Sequence, residues 1–490
     1  MPRRFAPRND RAIHSLQHLF EPVSQLKNRL KQNHRGTFLA DGAPTGAPFF
    51  CAVAVKYRMC YSVKNNNRWE IVMTLVEFFD KTMADAVISP LALQPDKIIL
   101  VGEKYGMQAQ AERMAALLRR RGLRSEIECR FITRSEVGNI IDTLEEILRD
   151  EKDVEFDLTG GEDLALFAAG QVMERHADRK LQFHWFNVRT GQVKDCDRDG
   201  EKPPQRPLAL TVDELVALSG GRVIYDQEKP DTSHLWPSDE EFGRDIEAMW
   251  EVCRADCAVW NRQLQLLNEL DRLRERDADP LLTRVQRDKV WPTLVQHFGL
   301  PDFRAVFAPL AERGLFAEYD VSGGQLRLRY KNAAVQQALG KAGTALELMT
   351  WHLARTLRYK EQAVYTDART GVYIDWDGIV RPQYAPETDN EIDVLLMKGL
   401  VPFFISCKNG TIDTEELYKV HTVAQRFGGP YARKVLVCTT WGSLNEHKQA
   451  TLRDRAREMG IYILEGVHNL TPAGFADELR KLDDKTIHVR

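Results

Sequence analysis

The spacing of apolar positions divides this 490-residue chain into three patterned regions and one without a pattern. From about residue 96, short apolar runs alternate with amphipathic stretches. DKIILVG reads as a buried strand and QAQAERMAALLRRRG as a helix ending at Gly122. SEIECRFI, DVEFDLTGG and LQFHWFNV read as further strands, with VGNIIDTLEEILRD and EDLALFAAGQVMERH as the helices between them. Such alternation predicts βαβ units and a parallel, Rossmann-like sheet, continued by LALTVDELVALSGGRVI. Residues 226–285 are charged and predicted mostly helical, with NRQLQLLNELDRLRERD as a solvated amphipathic helix. Residues 286–330 read as two helices and a hairpin, YDVSGGQLRLRY, turning at Gly323–Gly324. That order gives a small winged-helix-like unit. Few basic residues line one face of its helices, so packing between domains is the expected role.

Residues 341–490 predict a helix carrying Glu347, a strand GVYIDWDG, and a hairpin NEIDVLLMKGLVPFFISCKN. DTEELYKVHTVAQRFGG follows as a helix ending at Gly428, then KVLVCTT as a strand, a helix ending at REMG, and IYILEGV as a strand. The expected organisation is α/β throughout: a Rossmann-like domain at 73–225, a helical, winged-helix-like linker at 226–340, and a second α/β domain at 341–490. Residues 1–72 keep no period. They are read as an extension, an upstream translation from a misplaced start, or a basic arm, with the character changing at Met73.

The hairpin carries polar residues where a core strand would prefer none. A turn between Gly399 and Leu400 sets Asp393 opposite Ser406, with Lys408 two residues along on the same face. Opposite side chains in such a pair are roughly 5 Å apart and diagonal ones roughly 7–8 Å. Burying unpaired charge is costly, so a carboxylate, a hydroxyl and an ammonium placed together need a reason. A buried Asp–Lys ion pair is one. The other is a metal and a water held against a phosphodiester, since D-x12-(S/E)-x-K is the spacing of a PD-(D/E)xK nuclease core.

In the first domain, loops at Gly102–Gly106 and Thr159–Asp163 fall at the carboxyl ends of strands, where ligands of such sheets bind. LTGGED leads directly into a helix, whose free N–H groups suit a phosphate. A Gly-Gly turn before a helix is also ordinary folding chemistry. No G-x-G-x-x-G follows the first predicted strand, which argues against a dinucleotide site.

Composition narrows the classes. Hydrophobic content of 43% and charged content of 28% are ordinary for a globular chain. The net charge of −3 means that any nucleic-acid contact comes from local patches. Eight cysteines are scattered along the length. Cys253 and Cys257 form a C-x3-C pair on a predicted helix, with no second pair to complete a zinc site. A reduced, cytoplasmic protein is expected, and no apolar run reaches the roughly 18 residues of a membrane span.

The stretch NEIDVLL…PFFISCKNG…EELYKVHTVAQRFGG resembles the CRISPR-associated ancillary nucleases of type III systems. These join a CRISPR-associated Rossmann-fold (CARF) sensor to a PD-(D/E)xK domain of the restriction-endonuclease-like fold. ISPLALQPDKIILVG and the LTGG turn fit the sensor half. The resemblance covers about residues 73–490 and implies a homodimer whose sensor binds a cyclic oligoadenylate, tetra or hexa, as activator. The ligand would switch on an endonuclease, dependent on Mn²⁺ or Mg²⁺, that cuts DNA, RNA or both. Thr159, Gly160 and Gly161 match the family's phosphate-side loop, with Gly102, Gly106 and the turn Ser135–Asn139 as looser candidates. Asp393 and Lys408 match the catalytic motif and Glu347 the helix glutamate. Asp393, Glu347 and the Cys407 carbonyl would ligate the metal, and Lys408 would orient the water.

One position departs from the motif. Ser406 stands where a glutamate is usual, and a hydroxyl is a weak metal ligand. Glu415 and Glu416 on the next helix could supply the carboxylate, although Asp413 and Glu416 are spaced as a capping box. A ligand-sensing regulator that binds DNA and cuts weakly or not at all is the alternative. A HEPN-type ribonuclease would need an R-x4–6-H pair on a helix, and Arg179 and His184 run instead into a predicted strand.

Overall fold

The computed structural model describes residues 73–487 except 80–84, 180, 189–190, 197–200, 203–207, 275–278, 300–302, 380, 382–388 and 443. The expected extension at 1–72 lies outside the described residues.

The first part of the chain runs β1 (Met73–Phe78), α1 (Asp85–Leu93), β2 (Lys97–Gly102), α2 (Lys104–Arg120), β3 (Glu126–Phe131), α3 (Val137–Asp150), β4 (Asp153–Asp157), α4 (Asp163–Arg175), β5 (Gln182–Asn187), β6 (Gln192–Asp195) and β7 (Glu201–Lys202). Its strands form one sheet in the order β3-β2-β1-β4-β5-β6-β7. The first five strands are parallel, and β6 and β7 return antiparallel. This is a Rossmann-like sheet, and the strand order reverses between β1 and β4. β1 was not predicted, yet it is the central strand. Its Leu75 and Val76 are fully buried and point to opposite faces. One face of the sheet packs Val76, Phe78 and Val101 against α3 and α4, and the other carries Ile98 and Leu100 toward α1 and α2.

The chain continues through α5 (Val212–Leu218), β8 (Arg222–Ile224), α6 (Glu240–Ala255) and α7 (Cys257–Leu273). The single helix predicted over Cys253 and Cys257 is two. Asp256 is extended (φ −156°, ψ 96°), and its carboxylate accepts from the N–H groups of Ala258 and Val259, capping α7. β9 (Leu282–Gln286), α8 (Arg287–Phe298), α9 (Phe303–Glu312), β10 (Phe316–Ser322) and β11 (Gln325–Tyr330) give a three-stranded sheet ordered β10-β11-β9 with two helices, the pattern of a winged helix.

After α10 (Ala333–Ala338) and α11 (Thr344–Thr356) come the short pair β12 (Arg358–Tyr359) and β13 (Gln362–Ala363), then β14 (Asp367–Asp375), β15 (Asp389–Lys398), β16 (Val401–Lys408), α12 (Thr414–Gly428), β17 (Arg433–Cys438), α13 (Glu446–Glu458), β18 (Ile461–Glu465), α14 (Pro472–Arg480) and α15 (Leu482–Ile487). Their sheet is ordered β18-β17-β16-β15-β14-β8. Its last member is β8, from the segment that the sequence pattern assigns to the first domain. Tyr373, Ile374 and Asp375 of β14 pair with Ile224, Val223 and Arg222. One apolar core runs from α1 and α2 through Trp250 and Trp260 of α6 and α7 into β15 and β16. Each fully buried large apolar side chain there contributes about 1.5–3 kcal/mol.

Candidate functional sites

β15 and β16 pair antiparallel from Val394↔Ile405 to Lys398↔Val401, with Gly399 at φ 63° in the two-residue turn. Beyond that ladder the strands are joined through a side chain. Ser406 Oγ donates to Asp393 Oδ2 at 3.0 Å, and the Cys407 N–H donates to the same oxygen at 2.6 Å. Lys408 Nζ lies 3.9 Å from Asp393 Oδ2 and 3.0 Å from Glu416 Oε2. Burial works to lower the Lys408 ammonium, but Asp393 and Glu416 outweigh it and the group is raised above its ordinary range. It therefore remains a cation.

Glu416, one of the two glutamates expected to offer a carboxylate here, reaches the hairpin. Asp413 caps α12 by accepting the Glu416 N–H at 3.2 Å, but the Glu416 carboxylate is directed at the hairpin. Its Oε2 accepts from Ser406 Oγ at 3.5 Å as well as pairing with Lys408. A carboxylate thus stands beside the position where Ser406 replaces the usual glutamate.

Glu347 on α11 faces the same group. Burial, then the charges of Asp393 and Glu391, push its carboxyl up to about 8, against the opposing pull of Lys408 and Lys341. Glu391 was missed in the sequence. It lies two residues before Asp393 on the same face of β15, and it accepts the Tyr373 hydroxyl at 2.9 Å. Cys407 is buried, and burial followed by Asp393 and Glu347 holds its thiol well above the ordinary range.

Across β15 the ladder runs Thr370↔Val394 and Val372↔Ile392, so Gly371 falls opposite Asp393. Gly371 has φ 59°, and a Cβ there would meet nothing within 4 Å. The surface beside Asp393 is open. It adjoins a cavity of about 290 Å³ lined by Glu347, Glu391, Gly371 and Tyr373 on one side, and by Asp226 and His234 from the linker on another.

The linker also grips the residue after the lysine. Asn409 Nδ2 donates to Asn261 Oδ1 at 3.0 Å, Asn261 Nδ2 donates to the Asn409 carbonyl at 2.9 Å, and Thr439 Oγ1 donates to Asn409 Oδ1 at 2.7 Å. Cys253 Sγ accepts from Asn409 at 3.5 Å. Nothing in the local sequence signals these contacts.

Among the described residues, no three His, Cys, Asp or Glu side chains gather into a metal cage. The donor set still fits one kind of ion. Mg²⁺ is commonly held by one or two carboxylates, with waters and substrate phosphate oxygens completing the shell. Asp393 and Glu347 are the two carboxylates that could hold such an ion, the Glu347 carboxyl being raised first by burial and then by the charges of Asp393 and Glu391.

At the first sheet, the loops outside β1 and β2 border a cavity of about 330 Å³. Gly102 and Gly106 line it, with Phe79, Tyr105, Arg134 and Glu162. Gly102 is required by close packing, because a Cβ there would sit 2.4 Å from that of Phe79. Arg134 pairs with Glu162, and Lys104 lies over the Phe131 ring at 5.9 Å. Both cations were missed. They follow strands by several residues and carry no motif.

Thr159, Gly160 and Gly161 form the neighbouring loop after β4. The Thr159 hydroxyl accepts the Phe186 N–H at 2.7 Å and donates to Asp157, and the Thr159 N–H donates to Asp157 Oδ1 at 2.8 Å. These bonds fix the loop. Gly161, at φ 108°, abuts Phe78. In the turn Ser135–Asn139, Asn139 Oδ1 accepts the Thr133 N–H at 2.7 Å. His184 lies in β5, buried between Ser89 and Glu155, which leaves no helical Arg–His pair with Arg179.

No family model and no curated protein matches the chain. Solved structures do. Protein VC1899 from Vibrio cholerae aligns with a TM-score of 0.58 at 16% identity, over 85% of this chain and 98% of its own. Can2 from Sulfobacillus thermosulfidooxidans, solved in complex with cyclic tetra-adenylate, aligns with a TM-score of 0.55 at 14% identity, over the same shares. Over that 85% the chain therefore shares the fold of these proteins. A type III CRISPR defence DNA nuclease activated by cyclic oligoadenylate aligns at 0.36 and 16% identity over 75% of this chain and 45% of its own, too distant to carry an argument. Among the described residues no helix is long and apolar enough to cross a membrane.

Proposed function

We propose that the protein is an endonuclease of type III CRISPR defence, activated by a cyclic oligoadenylate and dependent on Mn²⁺ or Mg²⁺. The observation that carries this reading is the convergence of Asp393, Lys408, Glu416 and Glu347 beside an open cavity. The fold shared with a protein solved around cyclic tetra-adenylate supports the sensor half.

A divalent ion held by Asp393 and Glu347, with the Cys407 carbonyl, would supply Lewis acidity toward the phosphodiester and lower the pKa of a bound water. The chain's own residues do the rest. Ser406 and the Cys407 N–H fix the Asp393 carboxylate from one side, leaving its other oxygen for the ion. Glu416 holds the Lys408 ammonium in place. Lys408 then orients the water and stabilises charge on the phosphorane. Because the cation persists, it is no base.

In the sensor, the cavity at the switch point of the sheet would take part of the ring, with Arg134 and the N-terminal N–H groups of α4 facing phosphates. A homodimer would bring two such cavities to one cyclic ligand. Exposed Tyr105, Leu164 and Phe167 around the loops suit that contact.

The test is cleavage of supercoiled plasmid and of single-stranded RNA with Mn²⁺, with cyclic tetra-adenylate or hexa-adenylate added or withheld. Cutting that needs both metal and ring supports the reading, and identifies substrate and ring size. Tight ring binding without cutting supports the second reading, a DNA-binding regulator, which Ser406 favours.

A further inference from the structure

The nuclease reading leaves one chemical task without a residue. Hydrolysis of a phosphodiester expels an alkoxide, and no group of the hairpin is placed to protonate it. Lys408 is held between Asp393 and Glu416 on the water's side. The linker, however, brings a histidine to the same cavity.

After β8 the chain makes an excursion and returns. Ser233 N–H donates to the Ile224 carbonyl and Asp226 N–H to the Ser233 carbonyl, both at 3.0 Å. Asp231, at φ 62°, lies in the turn, a conformation uncommon for a residue with a side chain. Ser233 Oγ accepts the Tyr373 N–H at 2.8 Å, which ties the excursion to β14 two residues from Gly371. His234 is thereby set beside Asp226, and its Nδ1 pairs with that carboxylate. The ring stands edge-on to Trp236, with centroids 4.7 Å apart and planes at 80°. Trp236 in turn stacks on buried Phe242 at 5.5 Å. A histidine fixed by a carboxylate and by an aromatic wall is the arrangement of an acid–base catalyst, one nitrogen oriented and the other available.

We propose that His234, oriented by Asp226, is the general acid of this nuclease. The inference rests on the nuclease reading. In the step, the oxygen of a water that has already shed a proton to solvent bonds to phosphorus. The bond from phosphorus to the bridging oxygen breaks, and the leaving oxygen takes the Nε2 proton of the His234 imidazolium. Neutral His234 then recovers a proton from solvent, so that one water is consumed and atoms and charge balance. Asp231, Lys341, Glu347 and Glu391 are the other charged groups on the cavity wall, and Asp226 faces the ring directly.

The test uses the full-length protein with Mn²⁺ and activator on two substrates. One is an ordinary oligonucleotide. The other has sulfur in place of the bridging oxygen that leaves, a thiolate needing no proton. His234→Gln should lower kcat on the ordinary substrate by about 10²-fold and leave the sulfur substrate within a few-fold of the parent. Asp226→Asn should repeat the pattern more weakly. Circular dichroism and Mn²⁺ binding followed by electron paramagnetic resonance should match the parent for both variants. Equal loss on the two substrates, or no loss, overturns the assignment of His234 while leaving the nuclease intact. A parent that cuts neither substrate overturns the nuclease reading and this one with it.

Discussion

Each sheet carries a cluster of acids, buried at the first and half-buried at the second, and they are resolved in opposite ways. In the first sheet Glu77 and Asp157, on neighbouring strands, are 1% and 0% exposed, with Asp85 close by. Burial, then Asp157 and Asp85, hold the Glu77 carboxyl well above its ordinary range, so it keeps a proton. Asp157 is occupied by Thr159. In the second sheet Glu347 is raised by the same causes, but its cluster includes the Lys408 ammonium and opens on a cavity beside Gly371. One cluster is closed by a proton and serves the loop above it. The other adjoins a cavity. What separates the two clusters is the cavity beside the second.

The comparison can be broken most directly at Asp393. Asp393→Asn should lower activated cleavage by at least about 10³-fold, the several kcal/mol that a held metal contributes. Single-turnover cleavage with Mn²⁺ measures it, and a rate near the parent's would make the hairpin a structural ion pair.

The closed cluster predicts a smaller effect of opposite kind. For an acid whose folded value is raised, the folded chain keeps a proton that the unfolded chain loses. Stability then falls as pH rises above the ordinary 4.5 of Glu77. Glu77→Gln should flatten that slope and raise Tm at neutral pH, by about 1 °C for each kcal/mol recovered. Thermal melts of both proteins across pH check it, and a variant that keeps the parent's slope would show that Glu77 is not the group that holds the proton.

The smallest effect concerns the cavity of the first sheet. Arg134 is half exposed and already paired with Glu162. Arg134→Ala should weaken binding of the cyclic oligoadenylate by about tenfold, roughly 1.4 kcal/mol, with cleavage at saturating activator unchanged. Titration calorimetry against the ring decides, and an unaltered Kd would remove Arg134 from the site.

The hairpin site was legible because its information is local. A two-residue turn and a period of two place Asp393 against Ser406, and the register Lys398↔Val401 follows. The winged-helix-like order and the alternation of β2 to β5 were readable for the same reason. β1 was not, since its six residues follow a stretch without pattern and its partners β2 and β4 come later. The break at Asp256 carried a readable signal, an aspartate at an N-cap, masked by apolar spacing that continues through it. Glu416 was read both as a carboxylate donor and as a capping residue, because spacing alone does not say where its carboxylate points. Asp226, His234 and Asn261 meet the second sheet only after more than a hundred residues of intervening chain, and no local rule encodes that.

The pairing of β8 with β14 has a consequence for how the molecule can be divided. A fragment beginning at residue 341 would keep the β15–β16 hairpin but lose Arg222–Ile224, baring the backbone of Tyr373–Asp375 along an open flank. Unpaired strands of this kind recruit other chains. The severed half should therefore precipitate or pair with itself, and its activity would report on an assembly absent from the intact protein.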